Sequence, residues 1–98
     1  MSEQPLFSQR GGIWHHGGGF ATWPFARLDV FADRLEITHA RYPREQILSL
    51  KRKRCLFTTG LQITHSKYST PQTVVFWSPN FGALQHALHE CGYTVEDA

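Results

Sequence analysis

Six histidines, two cysteines and eight carboxylates carry whatever chemistry this 98-residue chain could do. His15 and His16 are adjacent, and His86 and His89 stand three apart, a helical spacing that puts both imidazoles on roughly one face. Two such imidazoles make half a metal site. The other half is missing: there is no H-E-x-x-H, and Cys55 and Cys91 form neither a CxxC nor a zinc spacing. His86 and His89 flank an apolar stripe, so the expectation is a half-exposed helix surface, with a hydrogen-bonding role for His65 at a strand end. Cys55 follows four cations, which would lower its thiol pKa. That leaves a thiol or metal enzyme as an outsider. The acids Asp29, Asp33, Glu36, Glu45 and Glu90 are scattered, with no pair placed for general acid–base work. Gly17-Gly18-Gly19 lacks the lysine and the following helix of a phosphate cradle. The sequence therefore predicts no catalytic residue, no metal and no cofactor.

Charge is the more unusual feature. Arg41, Arg44, Lys51, Arg52, Lys53 and Arg54 share one segment with a single acid, Glu45. That segment carries +5 in a chain whose total is +2, which leaves −3 for everything else. Such polarity suits an acidic lipid surface, a nucleic acid or an acidic protein patch. Strand geometry argues the other way, because successive residues point to opposite faces unless the strand ends first. Solvated cations that discourage edge pairing are the plainer reading.

Aromatic residues make up 13% of the chain. Trp14, Phe20, Trp23 and Phe25 cluster near the N-terminus, and Trp23 and Phe25 fall on the face opposite Ala26, Leu28 and Val30. Either they cover the second side of a strand that passes between two layers, which is the favoured reading, or they form an exposed interaction patch.

The elements that must position these groups are organised around Thr73–Tyr93. Val74-Val75-Phe76-Trp77 reads as a strand covered on both faces, stopped by Ser78-Pro79. Phe81, Leu84, Ala87, Leu88 and Cys91 then recur at helical spacing. Pro79 suits the first turn, Ser78 or Asn80 the N-cap, and Gly92 a left-handed stop with Tyr93 folding back on Leu88. Upstream, Phe20–Phe31 and Arg34–His39 alternate as a hairpin about Ala32-Asp33. Pro43–Gln46 reads as a short helical turn or 3₁₀ connector, Ile47–Arg54 and Gly60–His65 as strands, and Ser66–Gln72 as a loop. Residues 1–12 are expected as a flexible tail, 13–95 as one domain and 96–98 as a short acidic tail. The class is mainly β or α+β: a meander of strands capped by one C-terminal helix.

Four segments resemble a known group. They are Gly18-Gly19-Phe20 with Thr22–Leu28, then Pro43–Ile47, then Gly60–His65, then Val75–Asn80 through Cys91-Gly92-Tyr93. Together they resemble small, mostly uncharacterised bacterial proteins with a pleckstrin-homology-like (PH-like) fold. The most specific pieces are Trp23-Pro24-Phe25 and Phe76-Trp77. The resemblance implies a bent antiparallel barrel of five to seven strands, or two orthogonal sheets, plugged by the C-terminal helix. It implies no particular activity, since the fold carries lipid, peptide and purely structural roles. The short hairpin Phe31-Ala32-Asp33-Arg34, with an acid in it, does not support phosphoinositide recognition.

No apolar run approaches the roughly 20 residues of a membrane span, and the first eight residues hold no apolar leader core. A cytoplasmic protein is expected, with free thiols. The functional expectation is a non-catalytic PH-like binding or scaffolding module whose partner is a protein or a second copy of itself, with Trp14, Phe20, Trp23 and Phe25 at the interface. The alternative is weak binding of an acidic membrane surface through residues 41–54; nucleic acid is the less favoured anion.

Overall fold

The computed structural model describes residues 4–15, 20–38, 40–54, 58–66 and 72–97, with backbone alone at 15 and 20–24. The strands are β1 (Phe7–His15), β2 (Phe20–Val30), β3 (Arg34–Ile37), β4 (Ala40–Pro43), β5 (Ile47–Arg54), β6 (Thr59–His65) and β7 (Gln72–Ser78). Helix α1 (Phe81–Glu90) follows, then the short strand β8 (Glu96–Asp97). A 3₁₀ turn at Arg44–Gln46 joins β4 to β5, within the helical turn or 3₁₀ connector that the sequence predicts at Pro43–Gln46. One eight-stranded sheet runs in the order β4-β3-β2-β1-β7-β6-β5-β8.

The sheet is open, which corrects the barrel implied by the resemblance. No pairing joins β4 to β8 or β5 among the described residues. The 3₁₀ turn spans only three residues, so Pro43 and Ile47 sit close at one corner without a ladder between their strands. Alternation supplies the inner face. Leu28 and Val30 of β2, Leu35 and Ile37 of β3, Tyr42, Leu50, Leu61, Ile63, Val74 and Phe76 form one buried cluster with Phe81, Leu84 and Leu88 of α1.

The first part of strand β1 is hidden in the sequence. Residues 7–12, expected in a flexible tail, are strand, and 7–11 pair with β2 from Phe7↔Val30 to Gly11↔Ala26. The next pair is Ile13↔Ala21, so the register breaks there, and from Gly12 onward β1 also pairs with β7. Gly11 serves close approach between strands here. A Cβ on Gly11 would lie 2.1 Å from the Trp77 carbonyl oxygen and 2.8 Å from the Phe76 ring. Ala40–Pro43 adds strand β4 where the sequence shows no clear element, and Glu96–Asp97, expected in a tail, pairs parallel with β5.

Helix α1 starts two residues later than Pro79 at the first helical position would set. Asn80 is the N-cap: its Oδ1 accepts from the Ala83 N–H at 3.2 Å. Ser78 Oγ accepts from the Asn80 N–H at 3.1 Å and donates to Gln9 Oε1, while Gln9 Nε2 donates to the Asn80 carbonyl at 3.0 Å. Thus β1 holds the helix start in place. The far end is a Schellman motif: Gly92 has φ 84°, its N–H donates to the His89 carbonyl at 3.0 Å, and the Tyr93 N–H donates to Leu88 at 2.9 Å.

Candidate functional site

Strand β5 runs through to Arg54, so the basic run does not gather beyond a strand end. Leu50 is buried opposite Ile63, and Arg52 stands opposite buried Leu61, on the core-facing side. Lys51 stands opposite Gln62 and Lys53 opposite Gly60, on the outward side. Arg52 Nη2 meets Asp97 Oδ1 of β8 at 2.6 Å. Among the described residues, Lys51, Lys53 and Arg54 form no ion pair.

The other two cations of the segment are placed elsewhere. Arg41 lies on β4, at the opposite end of the strand order, 3.7 Å from Glu36. Arg44 tops the end of α1. Its Nη1 donates to the carbonyls of Cys91 at 2.9 Å and Ala32 at 3.0 Å, and its Nη2 donates to that of Gly92 at 2.7 Å. The Cys91 carbonyl is one that the helix end leaves without a partner, and the guanidinium charge suits the negative end of the dipole. Sequence reasoning placed Arg44 in an anionic-surface patch; the structure uses its donors internally.

Sheet register also sorts the aromatics. Trp14 pairs with Val75, which pairs with Gln62, which pairs with Lys51. One row over, Gly12 pairs with Trp77, which pairs with Gly60, which pairs with Lys53. These are outward rows, because Val74 and Phe76 between them point into the core. The Trp77 ring lies across Gly60: a Cβ there would meet it at 2.7 Å. Trp14 is 40% exposed and Phe25 76% exposed, so for these two the favoured core reading is corrected. Phe25 precedes buried Ala26 at the register break, where β2 has no partner residue to cover it. Phe20 pairs through its backbone with Trp14; the side chains of Phe20 and Trp23 lie outside the described residues. So do Cys55, His16, residues 17–19 and Phe57.

A cleft of about 200 Å³ opens beside the first half of β5, between residues 47–50, the Arg44 side chain and residues 92–94. Leu48 on its rim is 54% exposed. Sequence reasoning missed Leu48, Trp77 and the Glu96–Asp97 pair. The signal for the last was on the page: a net-positive strand and the only adjacent acids in the chain.

The titratable groups do not converge. His86 and His89 are exposed, and His86 Nε2 lies 3.4 Å from the Glu90 carboxylate one turn on. His65 is buried with its ring centre 4.6 Å from that of Tyr42. Cys91 carries a free thiol at the helix end. No three His, Cys, Asp or Glu side chains among the described residues are grouped to hold a metal ion. Burial pushes the Tyr93 phenol above its ordinary value, opposed in part by the adjacent Arg44 guanidinium. No helix is long and apolar enough to cross a membrane.

No family model matches this chain, and no curated protein or solved structure is similar to it.

Proposed function

We propose that this chain is a non-catalytic binding or scaffolding module of PH-like architecture, acting in the cytoplasm, and that a protein docks on its outward aromatic face. A second copy of the chain is the first candidate partner. Support for the architecture comes from the strand order. A four-strand meander, β4-β3-β2-β1, continues through β1 into β7-β6-β5, and the helix follows β7. The observation that carries the binding role is the exposure of Phe25, within the register break, and of Trp14, just beyond it. Large aromatics with an apolar body left in water are what interface centres are built from. Two-fold docking of the same patch would cover them on both subunits.

Sedimentation velocity from low to high micromolar concentration tests this. The expected result is a monomer–dimer equilibrium that Trp14→Ala and Phe25→Ala each weaken. A monomer throughout, with no partner retained by the native chain and lost by both variants, overturns it.

A second reading has its own observation. Lys51 and Lys53 share the outward side with Trp77 and form no ion pair among the described residues. Each would contribute roughly 1 kcal/mol toward an anionic membrane within a Debye length. Co-sedimentation with anionic vesicles, lost at physiological salt and in Lys51→Glu/Lys53→Glu, would favour that reading.

A further inference from the structure

The cations of β5 alternate between two faces, which suits a flat anionic surface poorly. A β-strand ligand has the same period of two and meets both faces at once. The chain already shows the arrangement. Glu96 stands opposite Lys51 and Asp97 opposite Arg52, one acid on each face, in the sheet's only parallel pairing among the described residues.

We propose that the outer edge of β5 is a strand-addition site for an acidic, extended segment of a partner protein, and that Glu96–Asp97 occupies this place until the partner displaces it. The edge is eight residues long and β8 covers two of them. Among the described residues, no strand stands beside Lys53 and Arg54 on that side, and at the other end none pairs with residues 47–50, which line the cleft. An edge strand with open N–H and C=O groups is a template for another strand. Opposite charges directly across a ladder add to the pairing. Displacing β8 gives up little: both its residues are exposed, and the Asp97 side chain in the one ion pair is 75% exposed. An acidic partner running past Asp97 regains that pairing and adds Lys53 and Arg54. The proposal rests on the reading of the chain as a binding module, but it uses a different surface from the Trp14–Phe25 face.

The probe is a fluorescein-labelled peptide that extends the chain's own sequence, Thr-Val-Glu-Asp-Glu-Asp-Val, titrated into the full chain with anisotropy as the readout. The expected result is salt-sensitive binding, about fivefold tighter to Glu96→Ala/Asp97→Ala, which removes the resident competitor's charges. The same peptide N-methylated at alternate residues keeps every charge but cannot form the ladder. It should bind about tenfold more weakly. Equal binding of the N-methylated peptide would mean charge attraction alone and would overturn the proposal, whatever the variants do. So would absence of binding to the Glu96→Ala/Asp97→Ala chain. Dimers of that variant that exclude the peptide would assign the edge to a second copy instead, and binding to anionic vesicles but not to the peptide would assign the run to a lipid surface. Trp14→Ala leaves the β5 edge untouched, so loss of self-association there and loss of peptide binding here are separate results.

Discussion

The guanidinium carbon of Arg44 lies 4.3 Å from the centre of the Tyr93 ring. The same guanidinium binds three backbone carbonyls, one from the β2–β3 turn and two from the end of α1. Tyr93 in turn donates its hydroxyl to the Phe31 carbonyl at 3.3 Å. One arginine and one tyrosine therefore tie the helix end to the β2–β3 hairpin.

Arg44→Ala should cost about 1–2 kcal/mol in urea unfolding, since it strips charge-assisted bonds from a helix end. Arg44→Lys should recover only part, because an ammonium cannot fork across separated carbonyls while lying over the ring. Full stability in Arg44→Ala would show that water replaces the fork without loss.

Gly92→Ala should cost about 1–2 kcal/mol, because Gly92 holds φ 84° in the left-handed region. Its new Cβ would also stand 3.1 Å from Arg44 Nη2. A thermal midpoint unchanged from the parent would contradict this.

The raised pKa of Tyr93 gives a pH dependence with a definite sign. Below the unfolded-state pKa of about 10, the phenol is protonated in both states and its contribution is complete. As pH rises through that value toward the folded pKa, the unfolded chain loses its proton first and stability falls. Tyr93→Phe should flatten the alkaline limb of a stability–pH profile above pH about 10, at the expense of the bond to Phe31 at neutral pH. Parallel alkaline limbs for variant and parent would rule the tyrosine out as the titrating group.

Legibility in the sequence followed local chemistry. Asn80, Gly92 and Tyr93 announce both ends of α1, and alternation at Leu28, Val30, Leu35, Ile37, Leu61 and Ile63 announces three strands, because those signals reside within a few residues of each other. Residues 7–12 gave no such signal. Ser8, Gln9 and Arg10 become strand only because β2 lies beside them and β7 takes over at Gly12. The two-residue strand β8 is likewise a product of the β5 edge, and its acids read as a tail in isolation. Among candidate site residues, the exposure of Phe25 follows from a register break that no local pattern encodes. The dispersal of Arg41 and Arg44 away from Lys51–Arg54 follows from the 3₁₀ turn, which starts β5 at the corner opposite β4's pairing.

Two glycine-to-alanine changes should move stability in opposite directions, and the difference tests the bend in β1. Gly82 lies exposed in the first turn of α1, where a new Cβ meets only Asn80 Oδ1 at 3.7 Å. Gly82→Ala should therefore stabilise by up to about 0.5–1 kcal/mol through reduced freedom of the unfolded chain. Gly11 is buried, and its Cβ would meet the Trp77 backbone oxygen at 2.1 Å, a contact that no side-chain rotation relieves. Gly11→Ala must push β1 away from β7, at a cost of at least about 1–3 kcal/mol. The loss should be local as well as global. Amide exchange should accelerate along the β1–β7 ladder, from Gly12↔Trp77 to His15↔Val74, before it does in the β2–β3 hairpin. If Gly11→Ala is neutral, or if the hairpin loosens first, then β1 does not join the two halves of the sheet at this residue.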